Sequence, residues 1–110
     1  MENTLSPSEL AELSVAFAYV MNYEADDPMT PIDPISYRAP DGDTCLHIAA
    51  QKGDVRAVAL LLQAGLNPNE LGDMGSTPLH LASNREVAAL LRAGGASSEI
   101  INEFGRKPGE

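Results

Sequence analysis

The chain has 110 residues, a formal net charge of −9 and 44% hydrophobic residues. That bounds it to one domain with a modest core, and with aromatics at only 5% the core must be built from Leu, Ala, Val and Ile. Residues 1–43 hold nine acids and one base (9 − 1, net −8), while residues 44–110 hold seven acids and six bases (7 − 6, net −1). A field so concentrated disfavours nucleic acid and anionic membrane as ligands and favours a basic protein partner. The single Cys45 excludes an internal disulfide framework and fits a reducing, cytoplasmic setting. No apolar run reaches the ~18 residues of a membrane span, and no Lys or Arg precedes Arg38 to make a secretory or transit signal.

The first predicted element is a helix over residues 7–23, within an N-terminal segment of residues 1–24. Ser6 is placed to cap it, Pro7 suits the first helical position, and Glu9 completes an S-x-x-E box with Leu5 and Leu10 as a hydrophobic staple. Leu10, Leu13, Phe17 and Val20 or Met21 form one stripe, and Val15, Ala16, Ala18 and Tyr19 make the second half apolar around much of its girth. The helix is therefore expected to be largely covered, as a cap on the open face of the unit that follows. Residues 25–40 then change character. Pro28, Pro31, Pro34 and Pro40 disfavour helix, which predicts an extended, ordered connector pinned to the core by Ile32, Ile35 and Tyr37. Its acids Asp26, Asp27 and Asp33 continue those of Glu24 and lead into Asp41 and Asp43.

From Asp41 onward a phrase recurs. Gly42, Thr44, Leu46, His47 and Ala49 return as Gly75, Thr77, Leu79, His80 and Ala82, each 33 residues later (75 − 42, 80 − 47). Such a period is the signature of stacked repeats and of an elongated slab. Each phrase opens on a Gly turn, places Thr at a helix N-cap, and in the second copy puts Pro78 at the first helical position. A first helix over residues 45–52 ends at Gly53; a second over residues 55–64 is capped by Asp54, turns Val58, Leu61 and Leu62 to the core, and stops at Gly65. Asn67-Pro68-Asn69 begins the next turn. The second copy lacks the bend between its helices. Aligning Gly105-Arg106-Lys107 as a third start puts Lys107 30 residues after Thr77, so this unit is three residues short (33 − 30), with a clipped first helix, an altered bend and a notch beside it.

The phrases G-D-T-C-L-H-I-A-A-Q-K-G and G-S-T-P-L-H-L-A, each followed by a Leu-rich helix, resemble the ankyrin repeat. The resemblance implies an all-α solenoid of about two helix-turn-helix units with hairpin fingers, filling residues 41–110. Unit one takes 41–73, the shortened unit two 74–104, and a third finger starts there and runs to 110. It implies that Gly42, Thr44, His47, Gly75, Thr77 and His80 hold the repeat register, with Thr and His in a hydrogen-bond network. It further implies contact with ligands through the finger tips and the open side of the first helices: Asp41, Asp43, Gln51 and Lys52 at the first finger and helix, with Asp73, Met74 and Ser76 at the second finger.

Two register histidines and one cysteine fall short of the roughly four convergent ligands of a zinc site, and no nucleophile motif accompanies them. No catalytic residue, metal or cofactor is expected. The sequence thus reads as a protein-interaction module, a monomer when free. It would bind a basic protein through an acidic finger and concave surface as a stoichiometric binder or inhibitor. One alternative is an immunity protein neutralising a toxic enzyme; another is an adaptor or regulatory fragment of a larger ankyrin protein. With only two units to share a core, limited stability is expected.

Overall fold

The computed structural model describes residues 5–108. Its helices are α1 (Pro7–Ala16), α2 (Cys45–Lys52), α3 (Val55–Gln63), α4 (Pro78–Leu81) and α5 (Arg85–Ala93), with a short 3-10 turn at Asp73–Gly75. They form two layers. In one, α2 lies against α4; in the other, α3 lies against α5 on one side and α1 on the other. Leu46, Ala49, Ala50, Val58, Leu61, Val87 and Leu91 are completely buried where the layers meet. The alanines of α2 let the layers approach, and the leucines of α3 supply the apolar area, worth ~1.5–3 kcal/mol for each fully buried large side chain. Ala57 and Leu60 join this core, while Leu62 is only partly buried. The elongated slab does not appear. With two stacked units the body measures 36 × 28 × 25 Å with a radius of gyration of 13.4 Å, close to the ~13 Å of an ordinary globular domain of this length.

Both helices of the first unit form as the sequence predicts. Gly53 adopts a left-handed φ of 73° after α2, and the Asp54 carboxylate accepts the Ala57 amide at 3.1 Å to cap α3. In the second unit α4 is a single turn of four residues, as the three-residue deletion demands. The notch expected at its bend is closed. The Ser83 amide donates to the Ala50 carbonyl at 3.2 Å and Asn84 Nδ2 donates to the Gly53 carbonyl at 3.2 Å, so the bend is folded onto the end of α2. Asn84 also caps α5 by accepting the Val87 amide at 2.8 Å.

The N-terminal segment departs most from expectation. The start of α1 is as predicted, with Ser6 and Glu9 completing the capping box, but the helix ends at Ala16 rather than at residue 23. Beyond it the Ala18 and Val20 amides bond three residues back, to Val15 and Phe17, as the Phe17 side chain is drawn into the core. The chain then closes around Asn22. Its amide donates to the Pro28 carbonyl at 2.9 Å, its Nδ2 donates to the Pro31 carbonyl at 3.2 Å, and its Oδ1 accepts the Glu24 amide at 2.9 Å. Those bonds require a turn where the periodicity alone continues a helix. Nor is α1 largely covered: only Leu13 is buried, and Leu10 is exposed although Leu5 is not. Among the connector anchors, Ile32 and Tyr37 are buried and Ile35 is partly so, with Tyr37 Oη donating to the Met21 carbonyl at 2.9 Å.

Candidate functional site: a groove beneath the fingers

Three hairpin fingers repeat one hydrogen-bond pattern. The Ala39, Gly72 and Asn102 amides donate to the Asp43, Ser76 and Arg106 carbonyls at 2.8, 2.8 and 2.9 Å. In return the Gly42, Gly75 and Gly105 amides donate to the Ala39, Gly72 and Asn102 carbonyls. The second and third fingers are each tied to the preceding unit by an imidazole. His47 Nε2 bonds the Ser76 carbonyl at 3.0 Å and His80 Nε2 the Arg106 carbonyl at 2.9 Å. Because a carbonyl only accepts, Nε2 carries the proton and Nδ1 is the acceptor. Nδ1 of His47 takes the Thr44 amide and hydroxyl at 3.0 and 2.9 Å, and Nδ1 of His80 takes those of Thr77 at 2.9 Å each. The partners lie 29 and 26 residues apart, and the difference of three is the deletion in unit two. The Thr44–His47 and Thr77–His80 pairs thus make equivalent bonds in the two units, and Gly42 and Gly75 donate equivalent turn bonds.

Five of the seven residues expected at a ligand surface come together. Asp43, Gln51, Asp73, Met74 and Ser76 line one groove of about 330 Å³, with Leu81 and Phe104. Through the shared Ser76, Leu81 and Phe104 it continues into a second stretch of about 430 Å³, bordered by His80, Asn102, Arg106 and Lys107. Two residues stand elsewhere. The Asp41 carboxylate turns back to accept the Asp43 amide at 3.0 Å, and the Lys52 ammonium sits 4.1 Å from the centroid of the Tyr19 ring, a cation–π contact that ties the N-terminal segment to α2. Ser76 is buried, with its hydroxyl accepting Asn102 Nδ2 at 3.3 Å and its carbonyl taken by His47, so its role is to join fingers. Sequence reasoning missed Leu81, Phe104, Asn102, Arg106 and Lys107. The available signal was the 30-residue spacing, which sets Phe104 in the register of Asp41 and Met74 and sets Arg106 in that of Asp43 and Ser76.

The fingers stack tightly at one point. A Cβ on Gly72 would overlap Asp43 Oδ1 and lie 2.8 Å from His47 Nε2, so only glycine lets Asp43 reach across to accept the Asp73 amide at 2.8 Å. At the next tip, Met74 is held at φ 58°, the one non-glycine with positive φ among the described residues. This left-handed conformation costs about 1–2 kcal/mol for a side chain with a Cβ. It is kept by the Glu103 amide, which donates to the Met74 carbonyl at 2.9 Å. The effect is to hold the Met74 side chain, 47% exposed, and that of Phe104, 67% exposed, along the same groove.

Ion pairs in the described residues join Arg38 to Glu70, Arg56 to Glu12 and Lys107 to Glu99, none of which involves Asp43, Asp73 or Arg106. No three His, Cys, Asp or Glu side chains converge as a metal site among those residues. Cys45 is enclosed in the core, where burial, reinforced by the charge of Asp33, pushes its thiol up to about 12 and leaves it without nucleophilic character.

A profile of ankyrin repeats in three copies matches residues 14–102. The chain belongs to the ankyrin-repeat family. The match takes in the end of α1 and the connector as well as both units. Ankyrin repeats are protein-interaction modules and are generally non-catalytic. An ankyrin and IPT/TIG repeat-containing protein of Schizosaccharomyces pombe is 31% identical over 96% of this chain and 9% of its own length. An intracellular phospholipase A2 of Caenorhabditis elegans is 33% identical over 86% of this chain and 8% of its own. The mouse protein phosphatase 1 regulatory subunit 12A is 37% identical over 62% and 7% respectively. The chain therefore spans less than a tenth of each of these relatives, and the matched part is similar in its repeats. Among the described residues no helix is long and apolar enough to cross a membrane.

Proposed function

We propose that this ankyrin protein is a non-catalytic, stoichiometric binder of another protein. It presents the groove beneath its second and third fingers to a segment of that partner carrying basic side chains. The observation that carries this reading is the groove itself: it runs for two stretches between fingers and first helices, and its Asp43 and Asp73 carboxylates form no ion pair with a described residue. Carboxylates so placed steer a basic partner and set its orientation more than they add affinity. The protein acts as a monomer in a reducing, cytoplasmic compartment, where the buried Cys45 thiol stays unoxidised. An adaptor role within a larger polypeptide is favoured by the size of the relatives, of which the matched stretch is less than a tenth. The test is capture from source cells at low and high salt, comparing the chain with an Asp43→Asn/Asp73→Asn variant. One protein, bound one to one and lost with the variant, is expected. Association that neither salt nor the variant changes would remove the electrostatic groove from the account.

A further inference from the structure

The two stretches of the groove carry opposite charge. Asp43 and Asp73 lie at the unit-one end, and Arg106 and Lys107 at the third-finger end. Lys107 is paired with Glu99 at 3.2 Å, whereas the Arg106 guanidinium makes no ion pair with a described residue, and neither does either aspartate. Between the poles the lining turns apolar. Leu81 and Phe104 border both stretches, and Met74 is held beside them in its left-handed conformation. A uniformly basic ligand would thus be attracted at one end and repelled at the other. The geometry points to a dipolar extended peptide as the occupant: a Lys or Arg side chain at Asp43 and Asp73, a bulky apolar or aromatic side chain between Met74, Leu81 and Phe104, and a carboxylate at Arg106.

Each pole matches one part of that ligand for a stated reason. Asp43 cannot swing away, because its Oδ1 holds the Asp73 amide, so its second oxygen is presented in a fixed direction to a cation. Arg106 is rooted by both of its backbone groups, the amide on Asn102 Oδ1 at 3.1 Å and the carbonyl on His80 and Asn102. Its guanidinium is then suited to a two-pronged contact with a carboxylate. The Phe104 face and the flexible Met74 thioether adapt to side chains of several shapes, so the central position selects for apolar bulk and the two poles select for charge order. This inference rests on the groove being a protein-binding surface and adds the chemistry of what it binds.

The experiment is selection of a displayed library of random 12-residue peptides on the immobilised protein, followed by fluorescence anisotropy of the best peptide with groove variants. Expected is a consensus with a base and an acid on opposite sides of an apolar residue. Arg106→Glu should weaken that peptide at least tenfold and be rescued when the peptide's acid is changed to Lys; Asp43→Asn/Asp73→Asn should weaken it comparably without that rescue. Met74→Gly should weaken it several-fold at an unchanged or higher melting temperature, which separates loss of contact from loss of fold. A consensus of bases alone, with Arg106→Glu improving binding, would overturn the dipolar ligand and leave the basic-partner reading standing. Absence of any enriched peptide, or one that no groove variant affects, would overturn both.

Discussion

The stacked units and the segment before them solve the same problem, burying apolar side chains in a small chain, with opposite thoroughness. In α2 and α3 Leu46, Val58, Leu60 and Leu61 are enclosed and Ile48, Val55 and Leu62 are partly so, with no large apolar residue left exposed. Between Val15 and Met29, by contrast, Val15 is 77% and Met29 81% exposed, and Tyr19, Met21 and Tyr23 are exposed with them. The units gain from repetition, because each helix pair meets a neighbour of the same shape. The N-terminal segment sinks only a few anchors into the core, among them Leu13, Phe17, Ile32 and Tyr37, and is otherwise fixed by polar contacts, through Asn22, the Tyr37 hydroxyl and the Lys52–Tyr19 pair. Helical periodicity therefore predicts burial well in one region and poorly in the other.

The largest effect that would break this contrast lies in the stack. Leu46→Ala, at a fully enclosed position, should cost about 2–5 kcal/mol, while Val15→Ala should stay within ~0.5 kcal/mol. Urea unfolding of the two variants checks this, and equal losses would mean that α1 carries as much of the core as α2. The two histidines sharpen the comparison inside the stack. His47 is wholly buried and its loss leaves the Thr44 amide without its partner and the Ser76 carbonyl with the Gly72 amide alone; His47→Ala should cost ~3 kcal/mol, against ~1 kcal/mol for the solvent-reached His80→Ala. Similar values would show that the third finger is held as firmly as the second.

Asn22→Ala removes two bonds from a buried side chain and should lower stability by about 1–2 kcal/mol, with proteolysis appearing first in residues 17–37. Met74→Gly relieves a left-handed backbone at the expense of a freer unfolded chain, so it should leave stability unchanged or raise it by up to ~1 kcal/mol. A loss would mean that the methionine side chain is structural. The smallest effect concerns how α1 sits on α3. Glu12 accepts Arg56 Nε at 2.8 Å, and that hydrogen bond holds its carboxyl below the ordinary 4.5. A carboxyl depressed on folding stabilises above its unfolded value and loses that contribution as pH falls through the folded one. In Arg56→Gln that contribution is absent at every pH, so the variant should be slightly less stable than the parent above about pH 4.5, and the acid limb below it should be slightly flatter.

Much was legible in the sequence because it depends on near neighbours. The Ser6–Glu9 box, the Asp54 cap, the Gly53 stop, the Thr–His pairs and the clipped α4 each involve residues within a turn or two, or a fixed repeat offset. The family resemblance pointed to Asp43, Gln51, Asp73, Met74 and Ser76 among the finger-tip and first-helix positions, and these five line one groove. What it did not give is how residues far apart in the chain share one surface. Asp41 and Lys52 are drawn off by local partners, Phe104 and Arg106 arrive from a third finger, and the end of α1 is decided by the Pro28 and Pro31 carbonyls waiting for Asn22. By itself the sequence determined the repeat, its caps and its turns, since those follow from backbone geometry at a fixed period. Only the tertiary structure decided the polarity of the groove and the fold of the N-terminal segment, because charge and packing act between atoms that stacking, and not the chain, makes neighbours.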